Sequence, residues 1–456
     1  MKTITTTALA LAIAGFSGAA FASDYDKAVV DSIAHYASPR EFDGVTINVA
    51  CRSLPAMDFI ARNKESFEKA TGVRIKFTNY PENDLRSKIV ADASNKVGGF
   101  QVYCLDNNYI PLFASNNWVA RLDSAIKPEY KLDDVFDSLR TSYSWQGGLY
   151  GLPIYSEVTL LYYRKDLFEA AGLTPPRTFE ELEAAAAKLN QPPQTFGIAL
   201  RGLRGEGMNV YTWTEWMRSY GANFLDENMH PVFNSPEAVE GTEHYSKLIN
   251  KYGSPGAGTW GWDKVSSAFA AGRVAMIIES SAFYPVFNDP KQSSVVGKVG
   301  YTVVPAGPKG AFPANYSIGL AIPATVDPQS KTFAAAVAFL QWATSQEMEF
   351  ARTDKDIGNE DRKSVNQSDL LKSKIDAGYI QAVQEGQAIT KTHYRPMIPQ
   401  WREMGDIIGA EIEASFTGGK SAKEALDAAA KQTEARFKSQ GILDTPRAYP
   451  EIFPAN

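Results

Sequence analysis

Between residues 45 and 105 the chain alternates between strand-like and helix-like apolar patterns and ends on a third strand. Val45-Thr-Ile-Asn-Val-Ala-Cys51 reads as a strand. Residues 56–71 read as a helix with Phe59, Ile60, Phe67 and Ala70 on its apolar side and Gly72 as its stop. Val73-Arg-Ile-Lys-Phe77 is the next strand, Asn83–Ser94 a helix with Leu85, Ile89 and Val90 inward, and 100–105 the third strand. Strands joined by helices in this way form a parallel sheet covered by helices. In such sheets ligands sit beyond the carboxyl ends of the strands. Cys51-Arg52-Ser53 and Leu105-Asp106-Asn107-Asn108 occupy those ends.

A second α/β region follows residue 153. Strands are expected at 158–163, 196–200, 274–278, 299–304 and 319–323. Helices are expected after a Thr178-Phe-Glu-Glu181 capping box, from Trp213 to Tyr220, over 236–252 and 262–271, and at 328–345. From about 369 onward the pattern is mainly helical, ending in an Ala-rich stretch at 421–437. The 456 residues leave room for two or three domains. With no repeat and no long linker, the expectation is an α/β fold of two lobes that share crossings.

Composition removes several functions. The net charge is −6 with no basic run, so no nucleic-acid partner is expected. Two cysteines and four scattered histidines cannot build a zinc ribbon or an iron–sulfur cluster. HExxH, GxxxxGK[ST] and GxSxG are all absent, and no metal or cofactor is expected. Residues 1–22 read as a signal peptide: Lys2, a short apolar run over 8–16, and Ala20-Phe21-Ala22 as the cleavage site. The run is too short to span a membrane, which takes about 20 residues, so the mature chain is expected to start at Ser23 and to be exported. Export permits disulfides. Cys51 and Cys104 each end a predicted strand, which leaves both a bridge and two separate buried thiols open.

Several segments together resemble the periplasmic solute-binding proteins of carbohydrate ABC importers, the maltose/polyol-binding type. They are Ser66-Phe-Glu-Lys-Ala-Thr-Gly-Val73, Gly147-Gly-Leu-Tyr-Gly-Leu-Pro153, Tyr162-Tyr-Arg-Lys-Asp-Leu-Phe168, Phe269-Ala-Ala-Gly-Arg-Val-Ala-Met276 and Ser317-Ile-Gly-Leu-Ala-Ile-Pro323. Glu82-Asn-Asp-Leu-Arg86 with Asn107-Asn-Tyr-Ile-Pro111 is closer to the polyol branch. Gln101 departs from the Asp common at that position and is read as structural. The resemblance implies a two-lobe fold with the ligand in the cleft. Lobe one would comprise 23–153 and 317–360, lobe two 154–316 and 361–456, with a third crossing near Ile357–Ser364. It also implies a monomer in the periplasm that passes a sugar, polyol or sugar derivative to an inner-membrane permease, without catalysis. Asp354-Lys-Asp-Ile-Gly-Asn-Glu360 lacks EF-hand spacing and reads as a hinge loop.

A polyol needs carboxylates, amides and arginines for its hydroxyls and aromatic faces for its C–H surface. The resemblance places Asp106, Asn108, Tyr109 and Arg52 at strand ends where ligand contacts lie, and Glu157 after the first crossing as a cleft carboxylate. Tyr211, Trp213 and Trp262 are the candidate stacking aromatics, with core packing as the alternative for each Trp. Ser280 ends a strand, Asn315 and Tyr316 sit at the second crossing, and Arg395 is on a returning loop, suited to a hydroxyl pair or an anionic substituent. Two other readings stay open: a secreted carbohydrate hydrolase using Asp106 and Glu157 as its acid–base pair, and a binder of a non-sugar solute such as a polyamine.

Overall fold

The computed structural model describes residues 23–355, 361–391 and 394–445. The expected signal segment 1–22 lies outside the described residues, as do 356–360 of the expected third crossing and of the 354–360 loop. Seven strands form the framework: β1 Thr46–Cys51, β2 Arg74–Asn79, β3 Val102–Asp106, β4 Leu152–Arg164, β5 Met276–Ser280, β6 Val299–Val303 and β7 Asn315–Ala321. β1 pairs in parallel with β2 and with β3. The helices Pro55–Thr71 and Glu82–Ser94 make the crossovers that parallel pairing demands. Gly72 ends the first of them at φ 80°, and a Cβ there would lie 1.8 Å from Asp43 Oδ1. β7 then lies antiparallel between β3 and β4.

The apolar pattern starts a strand at Val158, yet β4 begins at Leu152 and runs unbroken to Arg164. Its first half, to Val158, pairs with β7; its second half pairs with β5 and β6. Proline cannot donate to a ladder and is tolerated at bulges, and the β4–β7 register shifts between Pro153 and Tyr155. One strand therefore belongs to both lobes. β7 likewise begins at Asn315, before the apolar run at 319–323. The expected strand at 196–200 is reduced to single bridges from Phe196 to Val274 and from Ala199 to Ile277.

The buried side chains fall into cores on either side of this crossing. One gathers Ile47, Val102, Leu105, Ile318 and Trp342 around β1, β3 and β7. The second holds Leu161, Trp213, Trp216, Ile278 and Trp401, and Leu160 and Tyr162, on the opposite face of β4, join a third with Phe269 and Phe287. The segment just after residue 360 stays with the first lobe. Arg362 donates to Thr344 O at 2.9 and 3.1 Å and lies 4.5 Å over the Tyr130 ring. Gln101 is structural, its Oε1 accepting from Asn48 N at 2.9 Å.

Cys51 and Cys104 form a disulfide. The β1–β3 ladder consists of Val49 opposite Val102 and Ala50 opposite Tyr103, and the cystine is the next pair along. A link across a separation of 53 residues restricts the unfolded chain by about 4 kcal/mol in the loop-entropy account. Among the described residues no helix is long and apolar enough to cross a membrane.

Glu215, on helix Asn209–Ser219, braces the strand crossing from beneath. Its Oε1 accepts from Ala314 N at 3.1 Å and from the Thr159 hydroxyl. Burial pushes this carboxyl up to about 8, against the opposing effect of those hydrogen bonds. The folded protein thus binds a proton that the unfolded chain releases near 4.5. Its contribution to stability is complete below 4.5 and is lost as pH rises to about 8, at up to about 1.4 kcal/mol per pH unit. Urea unfolding of wild type and Glu215→Gln at pH 5, 7 and 9 reads this out. The variant should gain on wild type as pH rises, and parallel curves would refute the assignment.

Candidate functional site

A cleft of about 780 Å³ lies between the lobes, lined by Tyr155, Ser156 and Glu157 of β4 and by Tyr316 at the start of β7. From the first lobe it receives Arg52, the residue after β1, and Glu82 and Arg86, which stand one turn apart at the start of the helix that follows β2. These groups form a closed circuit with Asp106, the last residue of β3, and Tyr316 on β7. Arg52 pairs with Glu82, and Arg86 Nη2 lies 2.9 Å from the other Glu82 oxygen. Arg86 Nε donates to Asp106 Oδ2 at 2.7 Å. The Tyr316 hydroxyl donates to Asp106 Oδ1 at 2.5 Å and accepts from Arg52 Nη2 at 3.2 Å. Two guanidiniums thus balance two carboxylates. Burial alone would raise Asp106; the Arg86 and Arg52 charges and the bonds from Tyr316 and Arg86 outweigh it and hold the carboxyl below its usual value.

Asp106 therefore stands behind the cleft wall, with both oxygens engaged by Arg86 and Tyr316, and not on the cleft surface where the strand-end argument puts it. It lines a void of about 10 Å³ together with Tyr109. Tyr109 is buried beneath Arg86, its ring 5.8 Å from the guanidinium carbon, and its hydroxyl has no hydrogen-bond partner among the described residues. The 3-10 turn Asn107–Tyr109 turns these side chains inward as soon as β3 ends.

The crossing strands and the second lobe build the opposite wall. Glu157 on β4 accepts from Tyr155 at 2.5 Å and from Tyr211 at 3.1 Å. The Tyr211 ring has the guanidiniums of Arg201, at 4.8 Å, and Arg395, at 5.2 Å, over it, an arrangement in which ring quadrupole and cations attract. Arg201 grips Glu279 with two bonds of 2.7 and 2.5 Å. Ser280, at the end of β5, lines the cleft, and its hydroxyl accepts from Ala282 N at 3.0 Å. Trp262, the first residue of its helix, is 37% exposed and lines the cleft beside Phe283, with ring centroids 5.9 Å apart.

Glu206 joins the two lobes. It accepts at 3.1 Å from each of Asn108 Nδ2, Arg395 Nη1 and Trp401 Nε1, and its other oxygen lies 3.6 Å from Arg86 Nη1. Asn108 therefore serves an interlobe carboxylate and does not face the cleft. The Arg395 charge is spent on Glu206, which removes it as a free anchor for an anionic substituent.

Two further expectations need correction. Trp213 is 0% exposed in the second core, its Nε1 donating to Thr242 at 2.8 Å, so it offers no face to the cleft. Two positions along a helix turn a side chain through about 200°. On helix Asn209–Ser219 Tyr211 lines the cleft, so Trp213 falls on the opposite, core-facing side. Asn315 faces a second cavity of about 390 Å³ beside the crossing strands, where it donates to Thr390 at 3.0 Å and to Lys391 O at 2.7 Å. The structure brings Arg52, Glu157, Tyr211, Trp262, Ser280, Tyr316 and Arg395 to the cleft wall. Sequence reasoning missed Glu82, Arg86, Tyr155, Arg201 and Glu206 as members of this constellation. The Glu82 and Arg86 spacing of four residues, on a helix following a strand, was the available signal.

The bacterial extracellular solute-binding protein family model matches residues 54–349. The mannitol-binding protein of Pseudomonas aeruginosa is 30% identical over 415 residues, 87% of this chain and 94% of that protein. Among solved structures, an ABC transporter solute-binding protein of Agrobacterium radiobacter in complex with ribitol superposes with a TM-score of 0.79 at 29% identity, covering 87% of this chain and 100% of the other. One from Agrobacterium vitis with bound D-mannitol gives 0.78 at 28% identity, covering 87% and 99%.

Proposed function

The chain belongs to the bacterial extracellular solute-binding proteins, and on that premise we propose that it captures an uncharged polyol in the cleft between its lobes and delivers it to an ABC import permease. The observation that carries this reading is the closed circuit of Arg52, Glu82, Arg86, Asp106 and Tyr316. Its charges cancel, and it offers both donors and acceptors to hydroxyls that can do either. Arg201 and Arg395 are likewise matched, by Glu279 and Glu206. An anion would need an uncommitted guanidinium and a polyamine an uncommitted set of carboxylates. Tyr211 and Trp262 supply aromatic surface for C–H faces. The relative named for mannitol and the structures holding ribitol and D-mannitol support the same ligand class.

The protein performs no catalytic act in this reading. Of the two carboxylates that a hydrolase would need, Asp106 is screened from the cleft and held ionised, which disables it as a general acid. The lobes divide within β4 between Tyr155 and Val158, at the start of β7 and just past Arg362, and ligand closes them by making better contacts in the closed form. The mature chain is a periplasmic monomer beginning at Ser23, whose hydroxyl caps the first helix by accepting from Asp26 N at 3.2 Å. Mass spectrometry of the exported protein should return that N-terminus; an intact Met1 would overturn the export reading.

The test of function is a thermal-shift screen with D-mannitol, ribitol, maltose, a hexose phosphate and spermidine. A ligand at 100 times its Kd adds about 2.7 kcal/mol to stability, and the polyols should give the large shift and be recovered unchanged. A shift confined to the phosphate or to spermidine would refute the uncharged-polyol reading.

A further inference from the structure

We propose that the Cys51–Cys104 cystine is a positioning element of the ligand site, which sets Arg52 against Tyr316 and Asp106 so that the affinity of the cleft depends on it. For its affinity arm the proposal rests on the polyol reading. Cys51 immediately precedes Arg52, and Cys104 stands two residues before Asp106. The two strands that deliver these side chains share a ladder of two residue pairs, which stops at Ala50 and Tyr103. The disulfide is the next connection and the last before the chains diverge toward the site. Both cysteines are buried, so the bond lies under the cleft wall.

What lies beyond the cystine is sensitive to small displacements. Arg52 reaches Asp106 only through one shared hydroxyl, that of Tyr316, at 3.2 Å from Arg52 and 2.5 Å from Asp106. Its remaining ion-pair partner is Glu82, a member of the same circuit. Arg52 Nε is buried with no hydrogen-bond partner among the described residues, so the guanidinium is held by its two terminal nitrogens alone. Hydrogen bonds weaken steeply with distance and angle. A shift of the β1 end relative to β3 would therefore open the circuit at Arg52 while leaving Arg86 on Asp106.

The experiment is a cycle of four proteins: wild type, C51A/C104A, R52M and C51A/C104A/R52M, each titrated calorimetrically with D-mannitol well below its melting temperature. Removing the cystine should weaken Kd about tenfold in the Arg52 background and less than about twofold in the R52M background, because the effect passes through Arg52. A merely structural bond would lower the melting temperature equally in both backgrounds and leave Kd within about twofold, and that result overturns the proposal. A ligand-free readout runs beside it. The Asp106 carboxyl, followed by NMR titration, should move up when the cystine is removed, since the Arg52 charge contributes to holding it down. Should D-mannitol fail to bind wild type, ribitol replaces it; if neither binds, the polyol reading falls, whereas the titration still decides the role of the cystine, and an unmoved Asp106 rejects it. If C51A/C104A does not fold, C51A/C104V takes its place; failure of both to fold assigns the bond to stability and overturns the proposal.

Discussion

Arg201→Met is expected to destabilise the protein by about 3–5 kcal/mol, the cost of leaving one partner of a buried ion pair uncompensated. Glu279 is fully buried at the end of β5 and takes both of its guanidinium bonds from Arg201. Its other hydrogen bond comes from Ser280 N at 3.1 Å. Without Arg201 the carboxylate must either remain charged in the interior or take up a proton. The loss should therefore be smaller at pH 5 than at pH 8, where proton uptake is harder. R201M/E279L removes both charges and should recover much of the stability, since replacing a buried pair with apolar groups is often neutral. Urea unfolding of both variants at the two pH values measures this. A single variant within about 1 kcal/mol of wild type would show that the pair is not the brace between the second-lobe wall and β5 that its geometry indicates.

Trp213→Ala should cost about 3–5 kcal/mol of stability, the range for emptying a large aromatic site in a core, with Kd for the polyol unchanged in the folded protein. Trp262→Ala should do the reverse: little change in the ligand-free melting temperature, and a loss of about 1–3 kcal/mol in binding, borrowing the magnitude known for bases stacked on aromatics. The contrast follows from exposure, 0% against 37%. Chemical denaturation for stability and calorimetry for Kd separate the two quantities. Loss of affinity in Trp213→Ala without loss of stability would contradict the core placement.

The parallel arrangement of β1, β2 and β3 was readable because helix and strand periods alternate cleanly there, and the position of Arg52 followed from it. Cys51 and Cys104 could be placed on neighbouring strands by the same reasoning. β4 was not readable as one strand, because its first half is buried between β7 and the first core while its second half serves another core, and Pro153 breaks the local signal. The site was half legible. A strand end tells which residues gather, but not which of them face the cleft: Asp106 and Asn108 occupy the expected place and turn inward, to Arg86 and Tyr316 and to Glu206 respectively. Glu206 and Arg201 were invisible because their roles arise from partners 98 and 78 residues away in the chain.

The position of β7 in the sheet constrains the order in which the molecule can be assembled. Its strand is the last of the seven to leave the ribosome, yet it occupies the middle of the order, between β3 and β4. Thr159 and Ala314, which meet at the crossing, are 155 residues apart. A nascent chain that ends before Asn315 holds β3 and β4 with nothing to place between them, so each presents an open edge. Contacts of such long sequence separation slow folding and leave strand edges exposed while they form. The second lobe has all of its strands by then, but its core still lacks Trp401, Ile408 and Phe416 from a helix made later, so both lobes have to wait for the chain to come back.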